Sequence, residues 1–160
     1  GRGLRDCAAD GDRCDRLPER WRDRLADYRG VPVEDRLAAV NADVNALVYV
    51  SDREEHGLQE RWQTGRAFLQ TEHGDCEEFA LGKMLLLLAA GVDADDMRVT
   101  VLFDRRESAY HAVLSVRTEN GATVLDINRD DVAEPAAFPG YFAYYSLAPG
   151  GYRPHVGPPG

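Results

Sequence analysis

The sequence has no excess of positive charge and no long apolar run. Its 160 residues carry 19 Lys and Arg against 28 Asp and Glu, a formal charge of −9. Phosphate binding needs a basic surface, so the acidic balance argues against a general nucleic-acid binder. The longest apolar stretch, residues 84–90, is far short of the roughly 20 residues that span a bilayer. No repeat period and no low-complexity interior occur. The 44% of apolar residues recur in patterned runs, which argues against disorder. One domain is the natural reading at this length.

Cysteine is scarce. Of the three, Cys7 and Cys14 lie close together and Cys76 stands alone. That count suggests one bridge and one free thiol, and a Cys7–Cys14 disulfide implies an oxidising compartment. Two reduced thiols in a cytosolic protein are the alternative. The sequence starts at Gly1 without Met or signal peptide, which reads as a processed or trimmed chain from which any export signal would have been removed.

The first half reads as helical. Trp21, Leu25 and Tyr28 follow Pro18 at helical spacing until Gly30. A second stripe after Pro32 runs through Val33, Leu37, Val40, Val44 and Leu47. Trp62, Phe68 and Leu69 fall in a shorter segment of undefined type. After Gly74-Asp75-Cys76 comes a helix apolar most of the way round, from Phe79 to Leu88, stopped by Gly91. It should be the central buried helix. The second half switches to period 2, with strands expected over 97–103, 110–117, 123–128 and 136–146. Helices first and antiparallel strands after is the α+β pattern. The domain is expected to cover residues 1–147, with a Pro- and Gly-rich flexible tail over 148–160.

Cys76 falls at the start of the buried helix, where free N–H groups favour a thiolate and can form an oxyanion hole. A cysteine nucleophile needs a base, and the base needs an orienting acceptor. His111 and Asp126, on successive strands, supply both. Register decides whether they meet. A two-residue turn at Asn120-Gly121 would set Ser115 opposite Asp126 and carry His111 four residues away. The triad therefore requires a longer loop over 117–121, with Gly121 left-handed.

Asp75, Glu77 and Glu78 put three carboxylates beside Cys76. Like charges disfavour a thiolate. A hard cation such as Ca²⁺, which takes oxygen ligands, would offset them. The alternative is that these acids only favour the first helical turn. His73 reads as a loop residue near the site, His56 as solvated, and His155 as tail. Trp62 reads as a core residue or as one that lines the cleft or helps the oxyanion site. Asn128 shares the face of Asp126, and the aromatic run around Tyr141 reads as strand packing.

Asn41 and Asn45, Trp62-Gln63-Thr64, Gly74-Asp75-Cys76-Glu77-Glu78-Phe79-Ala80, Tyr110-His111-Ala112-Val113-Leu114 and Val124-Leu125-Asp126 carry a resemblance. Together they resemble the bacterial transglutaminase-like cysteine proteinases of the LapG type, over about residues 7–146. The Asp-Cys-Glu block with a downstream His and Leu-Asp is its specific part.

The resemblance implies a papain-like, transglutaminase-like α+β fold with Cys76 as nucleophile, His111 as base and Asp126 as orienter. It implies a Cys7–Cys14 pair and calcium held chiefly by Asp75 and Glu77, with Glu78 the weaker ligand. It also implies a monomeric periplasmic endopeptidase that clips a large surface adhesin and so affects biofilm attachment. A cyclic-di-GMP-controlled inner-membrane receptor sequesters such proteases. Two other activities fit the same residues: acyl transfer to an amine, as in a transglutaminase, and a binding module that has lost turnover.

Overall fold

The computed structural model describes residues 17–50, 58–148 and 151–154. The expected Cys7–Cys14 pair, His56 and His155 lie outside the described residues. Two helices open the fold. Pro18 precedes α1 (Glu19–Arg29) and Pro32 precedes α2 (Val33–Asn45). Proline suits a helix start, where its missing N–H is not needed. Trp21, Leu25 and Tyr28 of α1 are buried, as are Leu37, Val40 and Val44 of α2. Leu47, expected on the α2 stripe, falls beyond the end of that helix.

The segment of undefined type is a full helix, α3 (Leu58–Thr71). Trp62 lies within it, but its side chain is outside the described residues. Two short strands, β1 (Val48–Tyr49) and β2 (His73–Gly74), pair in parallel. At two residues each they leave no period to read.

α4 (Cys76–Ala89) is the expected central helix. Ten of its residues are buried, from Phe79 to Ala89 with Leu85 excepted. Fully burying one such Leu or Phe contributes about 1.5–3 kcal/mol. α4 ends before Gly91, whose φ of +95° is a left-handed value that glycine adopts at little cost. The Phe68 ring of α3 stands 2.6 Å from where a Cβ on Gly82 would be, so the missing side chain admits the aromatic ring.

Six strands form one antiparallel sheet in the order β6-β5-β4-β3-β7-β8. They are β3 (Met97–Asp104), β4 (Ala109–Thr118), β5 (Gly121–Asp126), β6 (Arg129–Ala133), β7 (Tyr141–Ala148) and β8 (Gly151–Pro154). Val99, Leu114, Val116 and Leu125 join the main core with α4. Leu102, Val113 and Val124 form a smaller cluster with Phe138 and Tyr141 against it. This is the α+β architecture, with helices on one side of an antiparallel sheet. No helix among the described residues is long and apolar enough to cross a membrane.

Two expectations need correction. Part of the expected flexible tail is strand β8, paired with β7 through Tyr145↔Pro154 and Ala148↔Gly151. The proline sits on an edge strand, where a missing donor is tolerated. The loop expected over 117–121 is instead a tight hairpin with Thr118 paired to Gly121. Thr118 Oγ1 accepts from Asn120 N at 3.2 Å and donates to Gly121 O at 3.0 Å. The turn therefore closes one residue earlier than the Asn120-Gly121 pair suggested. Gly121 is left-handed as expected, with φ +106°. Ser115 faces Val124 rather than Asp126, so the register incompatible with a triad does not occur.

Candidate active site

Cys76 is the first residue of α4, and the β1–β2 pairing fixes the chain just before it. Asp75 caps the helix, its Oδ1 accepting from Glu78 N at 3.0 Å. Such a cap contributes about 0.5–2 kcal/mol. Cys76 is a free, partly buried thiol. The N–H groups of a first helical turn have no carbonyl partner within their helix and point past this end.

The hairpin register brings in the other two residues. β4 and β5 pair as Leu114↔Leu125. One step on, Asp126 lies against Val113 and is the diagonal neighbour of His111. Diagonal positions stand about 7–8 Å apart, within reach of long side chains. His111 Nε2 meets Asp126 Oδ1 at 2.7 Å. Nδ1 is then the ring nitrogen left for Cys76, which lines the same cleft as His111. Burial works to lower the His111 pKa. The hydrogen bond to Asp126, reinforced by Cys76, overrides it and raises the pKa to about 9. His111 is therefore an imidazolium at neutral pH, the form that pairs with a thiolate.

Asp126 has a fully buried side chain. Burial pushes its pKa up, but His111, the Asn128 N–H and Tyr141 outweigh that and hold it below the ordinary value. Asn128 N donates to Oδ1 at 3.0 Å and Tyr141 Oη donates to Oδ2 at 2.5 Å. Asn128 thus both supports the carboxylate and stands in the turn after β5. Tyr141 was expected to be packing only. Its ring does join the small cluster, yet its hydroxyl is a ligand of Asp126. A hydroxyl among four neighbouring aromatic residues gives no separate sequence signal.

Two asparagines of α2 hold the turn that follows Asp126. Asn45 Nδ2 donates to Asp126 O at 2.9 Å and to Arg129 O at 3.1 Å. Asn41 Nδ2 donates to Arg129 O at 2.7 Å and Asp130 O at 2.9 Å. Their four-residue spacing puts both on one helix face, a signal present in the sequence but without a partner until the fold is known.

A cleft of about 840 Å³ is lined by Cys76 and His111 together with Tyr49, Asp104, Tyr110 and Tyr141, among others. Of the proposed cation ligands, Asp75, Glu77 and Glu78 all flank Cys76 and are partly buried. Among the described residues, no three His, Cys, Asp or Glu are grouped to hold a metal ion. The Glu78 carboxylate turns back over Gly74, 2.9 Å from where a Cβ there would sit. His73 lies on β2, its Nδ1 3.1 Å from Thr71 O and exposed, so it stays near the site without entering it.

The model of the bacterial transglutaminase-like cysteine proteinase family matches residues 7–142. The fold is similar to that of LapG from Legionella pneumophila. At 27% identity, the match covers 94% of this chain and 83% of LapG with a TM-score of 0.75. Calcium-bound LapG matches at 27% identity over 84% of this chain and 75% of that one, with a TM-score of 0.73. EGTA-treated LapG matches at 26% identity over 93% and 81%, with a TM-score of 0.75. No curated protein sequence matches significantly.

Proposed function

Because this chain belongs to the bacterial transglutaminase-like cysteine proteinase family and is a cysteine protease, we propose that Cys76, His111 and Asp126 are its catalytic triad. The observation that carries the reading is the 2.7 Å His111–Asp126 hydrogen bond, with Cys76 lining the same cleft as His111. The Cys76 thiolate attacks the scissile carbonyl carbon, and first-turn N–H groups of α4 receive the oxyanion. His111 gives its proton to the leaving amine, which departs and leaves a thioester on Cys76. His111 then takes a proton from water, whose oxygen attacks the thioester and releases the acid. The thiolate and imidazolium return. Asp126 stays ionised throughout and fixes the ring orientation.

Calcium-bound and EGTA-treated structures of LapG support calcium as a cofactor here. The acids beside Cys76 are carboxylates, the oxygen donors that a hard cation takes, though three of them are not gathered at one point among the described residues. Asp75 and Glu77 would hold it, because Asp75 commits only one oxygen to the helix cap. Glu78, turned over Gly74, is the weaker ligand. Backbone carbonyls and water complete a calcium shell. Bound there, the cation would offset the carboxylate charge around the thiolate.

By the same family likeness, the substrate is the N-terminal region of a large surface adhesin, cleaved in the periplasm, with release affecting biofilm attachment. A cyclic-di-GMP-controlled receptor domain is the corresponding regulatory partner. The test is incubation of wild type and Cys76→Ala with adhesin N-terminal fragments, with calcium and with chelator. Cleavage by wild type alone supports the reading. A mass-conserving cross-link would instead indicate acyl transfer, and binding without turnover an inactive module.

A further inference from the structure

Asp126 is the last residue of β5 and pairs with Arg129, the first of β6. Only Ile127 and Asn128 lie between them, so the carboxylate that meets His111 stands at the edge of a two-residue turn. Its side chain is tied into that turn, because Asn128 N donates to the same Oδ1 that His111 uses. The orientation of the carboxylate therefore follows the backbone of the turn. Turns are among the least stable parts of a fold unless something outside them holds the backbone.

α2 supplies that hold. Asn45 Nδ2 donates to Asp126 O at 2.9 Å, to Arg129 O at 3.1 Å and to Asp130 Oδ1 at 3.2 Å. Asn41 Nδ2, one helical turn earlier, donates to Arg129 O at 2.7 Å and to Asp130 O at 2.9 Å. Two primary amides carry four N–H groups, and here they meet four acceptors. Turning either amide over would set its oxygen against carbonyls, so Nδ2 must face the turn. Among the described residues, Asn41 Oδ1 and Asn45 Oδ1 are buried and accept from nothing in return. A buried acceptor left unpaired is costly, and two on one helix face are not what packing alone would select. The opposite side of α2 is fixed, with Leu37, Val40 and Val44 fully buried.

Of the two asparagines, only Asn45 touches Asp126 itself, and it also lines the cleft with Cys76 and His111. We propose that Asn45 is a positioning residue of this site: by holding the Asp126 carbonyl it fixes the turn from which the carboxylate orients His111. This rests on the triad reading above. Asn45 gives no proton to the reaction, since its N–H groups are committed to the turn. Its effect reaches the imidazole through two bonds in series, Asn45 to the Asp126 backbone and the Asp126 carboxylate to the ring. Tyr141 holds the other carboxylate oxygen, but that bond does not hold the backbone from which the carboxylate extends. Freed from α2, the turn lets the carboxylate shift, and a misplacement of about 1 Å can cost about 10²-fold in rate.

The test compares wild type with Asn45→Ala, Asn45→Asp and Leu25→Ala. Asn45→Ala removes the donors, and Asn45→Asp keeps the shape but offers only acceptors. Leu25→Ala removes buried packing on α1, away from the turn. Hydrolysis of an adhesin N-terminal fragment gives kcat and KM, and thermal unfolding gives stability. The His111 Nε2–H proton resonance, assigned by its loss in His111→Gln, reports the bond to Asp126. Both Asn45 variants are expected to lower kcat by about 10–10²-fold with KM unchanged, and to shift or broaden that resonance. Leu25→Ala is expected to melt at lower temperature with kcat and the resonance unchanged.

An unmoved resonance in the Asn45 variants would overturn the proposal. So would a kcat that falls in Leu25→Ala in step with its melting temperature, as it does in Asn45→Ala. Failure of both Asn45 variants to fold would overturn it as well, since the clamp would then serve the fold and not the triad. Absence of Cys76-dependent hydrolysis in wild type would instead count against the triad, and the resonance would still read whether Asn45 sets the His111–Asp126 bond.

Discussion

Tyr141 and His111 divide the two oxygens of Asp126 between them. The tyrosine hydroxyl donates to Oδ2 at 2.5 Å and the imidazole Nε2 meets Oδ1 at 2.7 Å. Tyr141 comes from β7 and His111 from β4, so two strands on the same side of β5 converge on its last residue. A carboxylate held from both oxygens cannot rotate away from its histidine.

Tyr141→Phe removes one of these donors and leaves the ring. Losing a hydrogen bond to a charged group costs about 1.5–3 kcal/mol. The variant should be less stable by that order and hydrolyse substrate about tenfold more slowly. Its acid limb should move up, because Asp126 loses a group that lowers its pKa. Thermal unfolding and the pH profile of kcat/KM check this.

Asp126→Asn should act at the opposite end of the pH range. The His111 pKa is about 9, against about 6.5 in an unfolded chain. A histidine pKa raised by folding contributes stability that is full below about pH 6.5 and lost as pH rises through 9. Wild type should therefore lose stability between those values. Asp126→Asn should flatten that slope, lower the alkaline limb of activity, and cut kcat by about 10²–10⁴-fold. Chemical denaturation at pH 6 and pH 9.5 gives the first result, and steady-state rates give the other two.

Asp75 separates a helix cap from a cation ligand. Asparagine caps as well as aspartate, whereas alanine costs about 0.5–2 kcal/mol. Asp75→Asn should keep thermal stability in chelator and lose the calcium dependence of activity. Asp75→Ala should lose both. In wild type, excess EGTA should abolish hydrolysis and added calcium should restore it.

Gly82→Ala tests how the nucleophile helix is seated. A Cβ there would stand 2.6 and 2.8 Å from ring carbons of Phe68. Alanine gains about 1 kcal/mol of helix propensity, but overpacking costs typically about 1–3 kcal/mol. Net destabilisation should follow, with the Cys76 alkylation rate altered as α3 shifts against α4. Thermal unfolding and alkylation kinetics measure the two effects.

The helical half was legible because its apolar stripes are long. Trp21, Leu25 and Tyr28 need only the helical period, and Asp75 and Gly91 bound α4 by known end chemistry. The position of Cys76 was legible for the same reason, since a helix start is a local feature. His111 and Asp126 were legible as residue types on two strands, but their meeting depends on where one turn closes. Thr118 moved that closure by a single residue, which changed the partner of Ser115 and made His111 a diagonal neighbour of Asp126.

β1 and β2 are too short to show a period, and β6 carries Arg-Asp-Asp at its start. β8 was hidden by Gly and Pro that an edge strand tolerates. Asn45 and Tyr141 were not readable as site residues, because each acts on Asp126 from a distant element. Side-chain reach across elements leaves no trace in local periodicity.

The most direct test of the account is mass spectrometry of the enzyme quenched in acid during turnover of a cleavable adhesin fragment. The account predicts an acyl adduct on the peptide containing Cys76. The adduct should be absent in Cys76→Ala and also in His111→Gln, which cannot protonate the leaving amine. Cleavage that persists in Cys76→Ala, or an adduct on any other residue, would contradict it.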